Sequence, residues 1–222
     1  MKTPLHHLVA FLRSDSGIFH AKRFVGIFYS IGLIGFLIPL SRNYFIGAIP
    51  WSLLLIFTIL MFYETNGNIR LAIACLVVAV SGFLVEMAGT RTGIIFGSYS
   101  YGDILGWKIA GTPLIIGINW VMVSVLARGV ALHFRVATTV QIFMAAFILV
   151  IYDIPLEIFA IKTGMWTWEN HHPPVQNFIA WAVIALIFQF FLHVYKVKIQ
   201  NPLSFMVLIS QILFFTLLAL FL

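Results

Sequence analysis

Five acidic residues, Glu86, Asp103, Asp153, Glu157 and Glu169, recur beside aromatic and amide side chains in a chain of 222 residues that is only 9% charged. Carboxyl groups so placed can give and take protons. Tyr and Trp faces can stabilise a positive charge, and Asn side chains can orient water. The stretch GTRTGIIFGSYSYG, from Gly89 to Gly102, follows Glu86 directly and puts four glycines, two tyrosines and Arg91 together. Tyr99 and Tyr101 alternate, so an extended backbone turns both to one side. Further along, Asp153, Glu157, Trp166, Trp168, Asn177 and Trp181 form a second concentration, and Asn119 and Trp120 lie between the two.

Each feature also has a plain structural reading. Glu86 can be a carboxylate paired with Arg91. Gly89, Gly93 and Gly97, four residues apart, can be a helix-packing stripe. The tyrosines and tryptophans can be an interfacial belt. His171 and His172, followed by two prolines, read as a solvated turn rather than metal ligands, because no second histidine cluster accompanies them. Pro155 between Asp153 and Glu157 predicts that a helix ends or kinks there.

The elements that carry these residues are read from hydropathy. With 62% hydrophobic residues, the chain has far more apolar surface than a water-soluble fold can cover, which predicts an integral membrane protein. The net charge of +6 comes without a basic run, so nucleic acid is not an expected partner. Single Cys75 excludes a disulfide framework. Arg13, Asp15, Lys22 and Arg23 break up the N-terminus before a secretory apolar core develops. Seven apolar runs, about 24–40, 45–62, 69–88, 113–133, 136–153, 178–194 and 203–222, predict an all-α protein of seven transmembrane helices in a single polytopic domain, 1–222. Residues 1–23 precede them, and Leu5, Leu8, Val9 and Leu12 in that segment predict a short interfacial helix.

Placing the N-terminus in the cytoplasm puts nine of the thirteen Lys and Arg residues inside, Lys2 among them, which predicts that orientation. Two long connections, 89–112 and 154–177, then share one face because two helices separate them. Their Trp, Tyr and Gly content predicts a capped pocket rather than disorder. Some chemistries are excluded by pattern. The last run has no lysine for a retinal Schiff base, no Asp-x-x-Asp pair serves diphosphate binding, no Gly-x-Gly-x-x-Gly turn serves a dinucleotide, and histidine clusters for a di-iron centre are missing.

The segments FLVEMAGTRTGIIFGSYSYGDILGWKIAGTPLIIGINW, Phe83–Trp120, and YDIPLEIFAIKTGMWTWENHHPPVQNFIAW, Tyr152–Trp181, resemble the carotenoid biosynthesis membrane protein family. Its members include carotenoid 1,2-hydratases and bisanhydrobacterioruberin hydratases. The likeness covers about 69–181, and departs where the family usually has Asp-Pro and this chain has Asp153-Ile-Pro155. The resemblance implies addition of water to the terminal C1–C2 double bond of an acyclic carotenoid, without a cofactor or a metal. In that reading Glu86 and Asp153 divide the acid and water-orienting roles, with Glu157 in support. Arg91, Tyr99, Tyr101, Asn119, Trp120, Trp166, Trp168, Asn177 and Trp181 would surround the substrate. Alternatives are acid-initiated cyclisation of the same end group, or a carotenoid- or lipid-binding protein without catalysis. The expected partners are the carotenoid, membrane lipid and other enzymes of the pathway, in a cell membrane, with the bacterial inner membrane as the expected site.

Overall fold

A computed structural model describes residues 4–64 and 67–222, with side chains from His6 onward, so Lys2 and the Leu5 side chain lie outside the described part. Among the described residues the regular structure is helical apart from four very short strands. Helix α1 covers Pro4–Leu12 and α2 covers Asp15–Leu37. Ser14 caps α2, accepting from the Gly17 N–H at 3.3 Å, which satisfies one of the donors that a helix start leaves open. Helices α3, Pro39–Gly47, and α4, Ile49–Tyr63, meet at Ala48 with a bend of 58°. Each carries a proline in its first turn, where the missing N–H costs no helical bond.

Helix α5, Ile69–Thr92, starts at an Asn68 cap and stops at Gly93, whose φ of +66° is the left-handed turn that ends helices. Strands β1, Tyr99–Tyr101, β2, Lys108–Ile109, and β3, Thr112–Pro113, follow, and then α6, Ile115–Ala131. Helix α7 spans Thr138–Thr163, strand β4 Trp166–Trp168, α8 Val175–Val194 and α9 Ser204–Phe221. Nearly every residue of α6 is buried, because α5, α7, α9 and α4 all pack around it.

Among the described residues four helices, α5, α7, α8 and α9, are long and apolar enough to cross a membrane, and the bent α3–α4 pair makes a fifth if it is one broken span. That count differs from the seven apolar runs for physical reasons. Asp15, Lys22 and Arg23 occupy the first turns of α2, and the second run is broken at Ala48. Helix α6 has 17 residues and is sheathed by protein, so it need not present an apolar surface of full length to lipid.

Two boundaries move residues of the site. Helix α5 continues through Arg91 to Thr92 instead of ending near Ala88. Helix α7 runs through Pro155 for ten residues past Asp153, where the apolar run ended and the sequence predicted an end or a kink. Proline forfeits a helical hydrogen bond, but α7 is packed against α6, α8 and α9 along its length. Asp153 and Glu157 therefore lie one turn apart on one helix face.

Candidate active site

The two long connections meet as a two-stranded antiparallel sheet. Strand β1 pairs with β4 in a register that sets Tyr99 opposite Trp168 and Tyr101 opposite Trp166. Gly102 is needed beside this sheet, since a Cβ there would lie 2.2 Å from the Gly164 carbonyl oxygen. Side chains alternate along a strand, so both tyrosines and both tryptophans point the same way, into the helix bundle. The Tyr99 and Trp168 rings sit 4.7 Å apart, and those of Tyr101 and Trp166 5.8 Å apart.

Each half of the sheet holds one glutamate. The Tyr99 hydroxyl donates to Glu86 Oε2, as does Tyr101 at 3.0 Å. Trp120 Nε1 donates to Glu86 Oε1 at 3.2 Å. Trp120 reaches that place because Gly82 leaves room for its ring on α5, and Trp181 stacks on it at 4.2 Å. In the other half, Trp166 and Trp168 donate their Nε1 protons to Glu157 Oε2 at 2.9 and 2.8 Å. Asn177 Nδ2 donates to Glu157 Oε1 at 3.2 Å and to Asp153 Oδ2 at 3.1 Å. Burial, and after it the neighbouring Glu86 carboxylate, hold the Tyr99 and Tyr101 hydroxyls well above the usual phenol range. Both therefore remain protonated donors at physiological pH.

These groups form one end of a chamber of about 360 Å3. Glu86, Glu157, Tyr99, Tyr101, Asn119, Asn177, Trp166, Trp168 and Trp181 face it, and the remainder of the wall is mostly apolar. The volume and the small number of convergent polar groups fit a small-molecule site.

Three expectations change. Arg91 is exposed in the last turn of α5 and takes no part in the chamber, because five residues on a helix carry it well round from Glu86. The ion pair present among the described residues is Lys108 with Asp103, at 2.7 Å, so Arg91 and Glu86 do not form one. Trp120 is fully buried and does not line the chamber; it donates to Glu86 from behind the wall. Asp153 is also fully buried and does not line the chamber; it lies behind Asn177, and Glu157 faces the cavity in its place. His171 and His172 are exposed in a turn.

The structure also brings in residues that the motifs did not. Tyr29 of α2, Met122 of α6, Tyr152 of α7 and Gln211 of α9 line the chamber. Gln211, a buried amide within an apolar helix, was a legible signal, since polar groups at such positions seldom lack a purpose.

A bundle of long apolar helices closed by an aromatic strand pair over two hydrogen-bonded glutamates defines a polytopic helical protein with a mostly apolar chamber at its core. The chain belongs to the carotenoid biosynthesis protein family, whose model matches residues 47–222. It is 25% identical over 138 residues to the bisanhydrobacterioruberin hydratase of Haloarcula japonica, an alignment covering 54% of this chain and 45% of that protein. The chain thus matches less than half the length of that curated relative. No solved structure matches the chain.

Proposed function

We propose that this protein adds water to the terminal double bond of an acyclic carotenoid by acid catalysis, giving a tertiary alcohol. One observation carries the reading most: Glu86 and Glu157 face a single, mostly apolar chamber under a cover of aromatic rings. Family membership and the hydratase relative support it.

Acid catalysis of alkene hydration has two demands. A proton must reach the less substituted alkene carbon, and the tertiary cation left behind must meet water before anything else. Glu86, whose tyrosine partners can donate or accept, is the acid that delivers the proton. Glu157, held by Asn177, which Asp153 anchors in turn, orients the water, and the proton that the water releases on attacking the cation returns to the Glu86 carboxylate. One C–H bond and one C–O bond form as the π bond and one O–H bond of water are lost, and the proton that Glu86 gives is replaced by the one that the water releases. The balance needs no oxidant or reductant. Trp and Tyr faces at the chamber stabilise the cation by about 2 kcal/mol each where water is excluded.

Cyclisation begins with the same protonation but requires that water be kept away. The amides of Asn119 and Asn177 at the chamber wall favour hydration. In this reading the chain is a seven-helix protein of the cell membrane with its N-terminus in the cytoplasm. The test is to express it in bacteria that make an acyclic carotenoid and to weigh the pigments. A gain of one water supports hydration, an isomer of unchanged mass shows cyclisation, and unaltered pigment shows that the chain does not modify carotenoids.

A further inference from the structure

The chamber does not end under the sheet. Its wall continues to Phe24, Ile27 and Ile31 of α2, spaced along one helical face, and these are 44%, 49% and 56% exposed on the outer surface of the bundle. Across from them the wall is completed by Ser52 and Leu53 of α4, just beyond the 58° bend. Helix α2 packs mainly on α3 and α9, and α4 mainly on α6; the Tyr63 hydroxyl of α4 donates to the Gly17 carbonyl oxygen of α2 at 3.5 Å, and Phe24, Ile27 and Ile31 lie about two turns or more beyond that tie. One continuous space therefore has glutamates and amides at its inner end and outward-facing hydrocarbon at the other.

We propose that the gap between α2 and α4 is a lateral doorway through which one linear isoprenoid chain enters end-first from the membrane interior. This rests on the reading of the chamber as a carotenoid site. A doorway lined by Phe and Ile has nothing to offer a charged or hydrated ligand, whereas it matches a hydrocarbon chain dissolved in lipid. The chamber, about 360 Å3, is near the small end of ligand pockets, and a long polyene approaches the ~30 Å thickness of the bilayer core. Only the end segment fits inside, and the rest of the chain stays in the doorway and in lipid. The enzyme handles one end per visit, so a substrate with two reactive ends must leave and re-enter reversed.

Two experiments test the doorway. A photoreactive residue at Ile27 should capture a long acyclic isoprenoid added to proteoliposomes, and the same residue at Val183, exposed on α8 away from the chamber, should not. This readout needs no turnover, so it stands or falls apart from the hydration reading. Ser52→Trp should slow reaction of the full-length polyene by about tenfold or more while a short terpene with the same end group reacts within about twofold of wild type. Leu76→Trp, on the exposed face of α5, should change neither. Capture at Val183 in preference to Ile27, or equal loss with long and short substrates in Ser52→Trp, would overturn the proposal.

Discussion

Glu86 and Glu157 sit in one chamber under one sheet, yet their partners differ in kind. Glu86 accepts from two tyrosine hydroxyls and one indole. Glu157 accepts from two indoles and one amide. Indole and amide N–H groups only donate, whereas a hydroxyl both donates and accepts. The Glu157 environment is thus matched to a carboxyl group that acts as acceptor throughout. That of Glu86 can reorganise as a proton arrives or leaves. Two carboxylates of similar burial thereby have surroundings of different kind, and the proposed division of roles rests on that difference.

The comparison breaks most sharply at the glutamates. Glu86→Gln keeps shape but removes the transferable proton, so turnover should fall by about 10²–10⁴-fold with the fold retained. Glu157→Gln presses an amide against N–H donors and should lower stability by about 1–3 kcal/mol as well as activity. Pigment turnover and thermal unfolding in detergent, measured on both variants, decide it. If Glu86→Gln were the less stable and Glu157→Gln the less active, the roles would be exchanged.

A smaller effect separates the partners. Tyr101→Phe should cost turnover by roughly tenfold, and should cost much less in a Glu86→Gln background because the two act as a unit. Trp168→Phe, which removes a donor from Glu157, should show itself chiefly as a lowered melting temperature. Equal kinetic losses from the two substitutions would erase the distinction between hydroxyl and indole partners.

Gly102→Ala tests the sheet that holds both sides together. Its Cβ would meet the Gly164 carbonyl, so the β1–β4 pair must shift, and a loss of about 1–3 kcal/mol is expected with activity falling for both glutamates together. Unchanged melting and turnover would mean that the sheet does not position the site.

The smallest effect belongs to the Asp103–Lys108 pair, in which Asp103 is exposed and the partly buried Lys108 also donates to the Tyr101 backbone carbonyl at 3.0 Å. Lys108 holds the Asp103 carboxyl below its usual range, through a hydrogen bond first and then charge. Since the folded-state value is depressed, whatever the pair contributes is present above the ordinary aspartate value of 3.8 and lost as pH falls through the lower folded value. Lys108→Ala should therefore leave turnover unchanged between pH 6 and 8, checked on reconstituted membranes. A kinetic effect there would extend the site beyond the chamber.

Sequence alone determined the helical, apolar character of the chain, because hydropathy and the 3.6-residue repeat are local properties. It also singled out Glu86, Tyr99, Tyr101, Asn119, Glu157, Trp166, Trp168, Asn177 and Trp181, all of which line the chamber, since polar and aromatic groups clustered in an apolar chain are conspicuous without a structure. Helix ends were less legible. Pro155 reads locally as a stop, but tertiary packing of α7 carries the helix past it and turns Glu157, not Asp153, toward the cavity. Arg91 looked near Glu86 by count, and the helical turn moved it outside. The register of β1 on β4, which gives the tyrosines to one glutamate and the tryptophans to the other, depends on contacts between segments some 65 residues apart. Hydrogen bonds across such separations form only when the bundle has closed, and so the different partners of the two glutamates were decided by the tertiary structure.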